Sequence, residues 1–125
     1  MIIIGDKHIE HENITFILDI KDIKLTQPNS TVLFDFNKDI MRYCMENEIN
    51  YAVKIDLVKE SIYANSLNAK YILPNNNLLK TVQKIAENYM FDSKILAIIE
   101  NEDDIEEIAL QSIDGVIFKR LINNN

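Results

Sequence analysis

The residues of this chain that are best placed for chemistry are five charged side chains at the ends of short apolar runs. They are Asp35, Lys54, Asp56, Glu100 and Lys119. Carboxylates and lysines gathered in one place can bind cations or transfer protons. A pocket of this composition favours Mg²⁺ or a cationic ligand over a bare phosphate. The alternative is that Asp56 caps a helix and the other four are solvated ends of strands.

Lys54 differs from the other four because it lies inside an apolar run, at 51–55. A lysine that burial has separated from water can lose its proton and form a Schiff base with a carbonyl substrate. The alternative is a lysine whose alkyl stem packs on the sheet while its ammonium group reaches solvent. Lys119, which follows a later run, has the same two interpretations.

Two histidines, His8 and His11, stand three residues apart and are flanked by Glu10 and Glu12. On a helix, two histidines at this spacing can bind one metal ion, with a carboxylate as the third ligand. The segment is short and polar, however, and these are the only histidines in the sequence. A solvated connector is therefore the favoured interpretation, and no metal site is predicted there.

The sequence lacks the motifs of several enzyme classes. Gly5 and Gly115 are its only glycines, so no glycine-rich loop can hold a nucleotide phosphate. No serine has glycines two residues away on either side, as a nucleophile elbow requires. Nucleotide-dependent dehydrogenases, P-loop enzymes and α/β-hydrolases are therefore excluded. Cys44, the only cysteine, lies between Met41 and Met45 on an apolar helical stripe, which predicts a buried thiol.

Five apolar runs rich in β-branched and aromatic residues predict the buried strands of a parallel sheet. They cover 32–36, 51–55, 71–73, 95–99 and 116–118. Apolar residues at helical spacing predict a helix between each consecutive pair of runs. These helices cover 38–48, 57–67, 77–91 and 102–111. Asn101 is predicted to cap the last helix, with Asp104 completing a capping box, and Asp56 is predicted to cap the second.

The first thirty residues are less regular than the rest. Residues 2–4 and 14–18 predict two further strands. Regular βα units follow over 31–119, and 120–125 is predicted to be a frayed polar tail. A chain of 125 residues is expected to form a single domain, 1–125.

Right-handed βαβ crossovers leave two architectures for this α/β chain. The favoured one is an open, mostly parallel, doubly wound sheet of the flavodoxin-like kind. The alternative is a half (β/α) barrel, since a full barrel usually needs about 250 residues. In both architectures, ligands bind at the carboxyl ends of the strands, where the five charged residues are expected.

The stretch 95–121 resembles the last strand, helix and strand of response-regulator receiver domains. An apolar strand is closed there by Lys119, and the five-strand alternation from 32 to 119 has receiver length and order. Of the phosphorylation residues, only Asp35 and Lys119 match: Phe36 and Asn37 follow Asp35 in place of a second acid, and no aspartate ends the third strand. The resemblance therefore implies a receiver-like fold without aspartyl phosphorylation.

Charge and composition narrow the partners. Thirteen basic and twenty acidic residues leave a net charge of −7, which opposes nucleic-acid and anionic-membrane binding. No basic leader with a long apolar stretch precedes the first strand, so a cytoplasmic location is expected. Tyrosines and methionines on the helical stripes suit a protein partner or a homodimer.

Two functions follow from these observations. The first hypothesis is a non-catalytic protein-interaction or regulatory module of pseudo-receiver type. The alternative is an enzyme or sensor that binds a small metabolite, using Asp35, Asp56 or Glu100 together with Lys54 or Lys119. No cofactor is predicted under either hypothesis, although the acidic residues would suit Mg²⁺ or a cationic ligand.

Overall fold

The computed structural model describes residues 1–122, and the seven strands in this part of the chain form one parallel sheet. Its order from edge to edge is β1-β7-β6-β5-β4-β3-β2. The strands are β1 (Ile2–Ile4), β2 (Ile14–Phe16), β3 (Thr31–Asp35), β4 (Tyr51–Ile55), β5 (Tyr71–Pro74), β6 (Lys94–Ile99) and β7 (Gly115–Phe118).

Four α-helices connect the strands from β3 onward. They are α1 (Lys38–Glu46), α2 (Val58–Ser66), α3 (Leu79–Asn88) and α4 (Ile105–Leu110). Short 3₁₀ turns cover Ile20–Leu25, Asn76–Leu78, Glu102–Asp104 and Lys119–Leu121. Each predicted strand and helix is therefore present, with ends that differ by a few residues.

The strand order gives the sheet its curvature. From β2 to β7, each strand pairs with the next one along the chain, and β1 then adds beside β7. The sheet curls until β2, at one edge, contacts the 3₁₀ turn that follows β7 near the other edge. The predicted α/β class with an open parallel sheet is confirmed, and this order is that of the half-barrel arrangement.

The helices pack against the convex face of the sheet. Phe34 and Val53 from the strands meet Met41, Cys44 and Val82 from the helices in one buried cluster. The predicted stripe on α1 is buried, and burial raises the pKa of the Cys44 thiol to about 11. The thiol therefore stays protonated at neutral pH, which supports its interpretation as a packing residue.

The concave face holds a second core to which, among the described residues, none of α1–α4 contributes a side chain. Leu33, Ala52, Leu96 and Ile117 point toward one another across the curled sheet, and Ile122 packs among them. The strands are apolar on both faces because helices cover one face and the curl of the sheet closes the other.

The frayed tail predicted over 120–125 is wrong for its first residues. Lys119–Leu121 forms a 3₁₀ turn, Leu121 packs against the concave core, and Ile122 is buried in it. The rest of the predicted tail, 123–125, lies outside the described residues. Leu121 and Ile122 are apolar, and they lose contact with water by packing on the open side of the half-barrel.

Each helix ends in the same way although no glycine is available there. The second residue after each helix has a positive φ of 50–65°, and these residues are Glu48, Asn68, Met90 and Ser112. After three of the helices, the next amide donates to the carbonyl five residues earlier, as in Ile49 to Cys44 at 2.9 Å and Phe91 to Ala86 at 2.8 Å. This is the Schellman arrangement, and it turns the chain back toward the next strand.

Gly115 allows β1 to lie against β7. It is the register partner of Ile2, and a Cβ added to it would lie 2.5 Å from the Ile2 carbonyl oxygen and 2.8 Å from Leu96 Cδ2. These distances are shorter than van der Waals contact, so any side chain at this position must push β1 away.

We expect Gly115→Ala to lower the free energy of unfolding by about 1–3 kcal/mol, because the added methyl group overpacks a backbone contact. Urea unfolding followed by circular dichroism measures this change. Thr81→Ala, at an exposed position on α3, is the control and should change stability by less than about 0.5 kcal/mol. An unchanged midpoint for Gly115→Ala would contradict the close approach of β1.

Candidate functional site

A cleft of about 400 Å³ opens at the carboxyl ends of β4, β5, β6 and β7. Its charged lining residues are Lys54, Asp56, Glu100 and Lys119, and its amide side chains are Asn75 and Asn76. Leu73, Pro74 and Ile98 supply apolar surface. The volume lies in the range of small-molecule sites in proteins.

The two-residue period of the strands places these side chains in the cleft. Ala52 faces the concave core, and Lys54 and Asp56 continue the same alternation along β4 and past its end. On β6, Leu96 and Ile98 likewise lead to Glu100. The cleft is therefore the outward continuation of the concave core, at the level where apolar side chains give way to polar ones.

Lys54 is partly buried and is the only charged residue in the interior of a described strand on the concave face. Its register partners on the two neighbouring strands are Asp35 and Leu73. Among the described residues, its ammonium group makes no ion pair and no hydrogen bond to a side chain. Its charge is therefore left to solvent or to a ligand in the cleft.

The side chain of Asp56 is also free of the helix beside it. Asp56 is not the N-cap of α2, as the sequence had suggested: that position is Leu57. The Glu60 carboxylate accepts hydrogen bonds from the backbone amides of Asp56, at 2.8 Å, and Leu57, at 3.1 Å. Because Glu60 supplies the cap, the Asp56 carboxylate lines the cleft instead.

Glu100 is followed by the cap that the sequence predicts. The Asn101 side chain accepts a hydrogen bond from the Asp103 amide at 3.0 Å, and the Asp104 carboxylate accepts from the amides of Glu100 and Asn101. The capping box is confirmed. It holds the backbone at the end of β6, so the Glu100 carboxylate remains available to the cleft.

Asp35 is the one predicted site residue that does not line the cleft. It is exposed at the end of β3, one strand beyond Lys54. The other four, on β4 and past the ends of β4, β6 and β7, are brought together. Asn75 and Asn76 line the same cleft and follow the carboxyl end of β5. They therefore satisfy the same criterion as the charged residues, a position at the carboxyl end of a strand.

The two histidines do not converge. The Asp6 carboxylate accepts a hydrogen bond from the His8 amide at 2.8 Å and lies 3.4 Å from His8 Nδ1. His11 Nδ1 instead lies 2.6 Å from the carbonyl oxygen of Glu12. Among residues 1–122, no three histidine, cysteine, aspartate or glutamate side chains are grouped closely enough to hold a metal ion. The expectation of Mg²⁺ in the cleft thus gains no support from ligand geometry.

A second polar cluster, which the sequence did not indicate, lies at the opposite end of the barrel. Glu12 Oε2 accepts hydrogen bonds from Lys70 Nζ at 2.6 Å, Tyr71 Oη at 2.9 Å and Thr31 Oγ1 at 3.2 Å. The partners lie 19 to 59 residues away along the chain. One carboxylate therefore fastens the segment before β2 to β3 and β5.

The electrostatics of this cluster favour an ionised Glu12. Burial raises the pKa of the Glu12 carboxyl, but hydrogen bonds from Lys70, Tyr71 and the backbone, together with the Lys70 charge, outweigh it, so the net pKa lies below its usual range. Burial and the neighbouring carboxylate raise the pKa of Tyr71 well above its usual range. Glu12 is thus a charged acceptor and Tyr71 a neutral phenol donor, an arrangement suited to a structural hydrogen bond.

No described helix is both long and apolar enough to cross a membrane. The chain matches no protein-family model, and a search of the curated proteins finds no significant relative. The cleft geometry is therefore the basis for a functional proposal.

We expect Glu12→Gln to lower the free energy of unfolding by about 1–3 kcal/mol at pH 7, because a charged acceptor of three hydrogen bonds is lost. A carboxyl whose pKa is lowered on folding contributes stability above its unfolded pKa, and this contribution disappears as the pH falls toward the folded pKa. The difference in free energy of unfolding between the wild type and Glu12→Gln should therefore become smaller as the pH falls. Urea unfolding at a series of pH values from 7 to 3 measures this difference.

Glu10→Gln, at an exposed position in the same segment, is the matched control. It should leave stability nearly unchanged at every pH. A gap between wild type and Glu12→Gln that stays constant as the pH falls would contradict the ionised, hydrogen-bonded state of Glu12.

Proposed function

We propose that this protein binds a small polar metabolite in the cleft at the carboxyl ends of β4–β7, as a sensor or binding module. The observation that carries the proposal is a cavity in which charged side chains, which have no ion-pair partner within residues 1–122, stand over an apolar floor. Charged groups that a protein leaves unpaired around a concave apolar surface are suited to fix the orientation of a ligand.

The position of the cleft in the fold adds to its chemistry. Parallel βα folds bind ligands at the carboxyl ends of their strands because loops and strand-end side chains converge there. The amino-terminal end of the barrel has a different role, since the Glu12 cluster pairs its own charges. The proposal concerns binding and includes no chemical step.

The proposal predicts that a ligand raises the melting temperature of the protein. Thermal unfolding is measured with a panel of candidate ligands. The panel contains amino acids, organic acids, phosphorylated metabolites, polyamines and chlorides of Mg²⁺, Mn²⁺ and Zn²⁺. A ligand present at about 100 times its dissociation constant adds roughly 2.7 kcal/mol, which is a rise of several degrees for a domain of this size.

Two cleft variants, Lys54→Met and Glu100→Gln, should reduce that rise. The controls Lys80→Met and Glu106→Gln remove the same charges at exposed positions outside the cleft and should preserve it. A panel without any rise, or a rise that both cleft variants retain in full, would count against the proposal.

A protein-interaction module of pseudo-receiver type is the second candidate, and one surface favours it. Leu57, Ile62 and Tyr63, at and within α2, are 52%, 49% and 45% exposed. Exposed apolar side chains are typical of protein interfaces, and here Leu57 and Ile62 supply them, while the Tyr63 ring packs against Phe36 and Lys38. We propose a second copy of this chain as the partner at this surface, and a cytoplasmic location for the protein in either function.

This candidate predicts concentration-dependent dimerisation that depends on α2. Sedimentation velocity over a range of protein concentrations should show a dimer for the wild type and a monomer for Ile62→Lys. Lys59→Gln, at an exposed polar position of the same helix, should dimerise as the wild type does. A wild-type protein that stays monomeric at all concentrations would remove this candidate.

A further inference from the structure

The charges around the cleft are balanced, and this balance restricts the ligand. Lys54 and Lys119 bring two ammonium groups, and Asp56 and Glu100 bring two carboxylates. Each half of the cleft has one of each sign: β4 and the residue after it provide Lys54 and Asp56, and the ends of β6 and β7 provide Glu100 and Lys119.

These four groups do not neutralise one another. The ion pairs within residues 1–122 join Asp6 with His8, Arg42 with Glu46, and Glu12 with Lys70. None of these pairs involves a side chain of the cleft. The cleft thus presents two positive and two negative groups, each of which can gain a partner when a ligand enters.

Between the two halves, β5 contributes apolar Leu73 and Pro74 to the floor of the cleft, and the amide side chains of Asn75 and Asn76 follow its end. Leu73 is buried and Ile98 is partly buried, and Pro74 lies beside them. A hydrocarbon skeleton that covers this surface leaves water, and the burial of its apolar area favours binding. The surface therefore suits a short carbon chain with polar groups at its ends.

We propose that the ligand of this cleft is amphoteric: a short carbon skeleton that carries both an acidic group and an amino group. This inference rests on the proposed function. The acidic group pairs with Lys54 or Lys119, and the amino group pairs with Asp56 or Glu100. A dianion would meet two carboxylates as well as two ammonium groups, and a dication would meet the reverse, so like-charge repulsion weakens both.

Three probes on one carbon skeleton test the inference: 4-aminobutanoate, butanedioate and 1,4-diaminobutane. They have the same number of carbon atoms but differ by one or two bonds in the separation of their charged groups, so they are also compared at matched separation. The same comparison is repeated with unbranched chains of three, five and six carbons. Isothermal titration calorimetry of the full chain gives the dissociation constants. At the length that binds best, we expect the amphoteric probe to bind about tenfold more tightly than either of the others.

Variants separate the two signs of charge. Glu100→Gln should bring the dissociation constants of the amphoteric and dianionic probes together, and Lys119→Met should do the same for the amphoteric and dicationic probes. Glu106→Gln and Lys80→Met are the matched controls and should preserve the tenfold preference. Circular dichroism of each variant checks that it is folded.

The outcomes distinguish the inference from the proposed function. A dianion or dication that binds as tightly as the amphoteric probe overturns the inference and leaves a metabolite site in the cleft. A panel that yields a cleft ligand with charges of one sign only, while no amphoteric probe or amino acid binds, has the same meaning. The absence of binding by every probe and every panel member overturns both.

Discussion

Side chains on the concave face of a curled sheet point toward one another, so they compete for one small volume. This protein fills that volume with Leu33, Ala52, Leu96 and Ile117 and covers its open side with Ile122. No helix can enter such a space, which is why α1–α4 all pack on the convex face. The same restriction keeps Gly115 free of a side chain, since any Cβ there would collide with Ile2. The curvature of the sheet, the position of the helices and the cover over the open side of the half-barrel all depend on this packing.

The elements could be predicted from the sequence because their signals are local. β-branched runs such as 95–99 and helical stripes such as 79–86 are read within a few residues. The sheet order is different, because a continuous apolar strand looks the same whether a helix or the opposite side of a barrel covers its second face. The prediction of a frayed tail from residue 120 is wrong for a related reason. Leu121 and Ile122 are too short a run to predict an element, and their burial depends on a barrel opening that only the assembled sheet creates.

Much of the candidate site could be predicted, because its charged residues stand at positions that the sequence pattern marks. Lys54, Glu100 and Lys119 interrupt or follow apolar runs, so a topological rule was enough to bring them to one edge. Whether Asp56 is a cap or a cleft residue was decided by Glu60, which reaches back to both amides. The Glu12 cluster had no sequence signal, because Lys70 and Tyr71 lie nearly half the chain away. Pairings of that kind are set by tertiary structure alone.

The place of β1 in the sheet has a consequence for the order of assembly. From β2 to β7, each strand meets a partner that is its neighbour along the chain, so these pairs can form one after another during synthesis. β1 precedes the other described strands, yet Gly115, the partner of Ile2, follows more than a hundred residues later. β1 can therefore pair with β7 only after more than a hundred further residues have been made. Its length of only three residues limits the edge that it would offer to other chains before then.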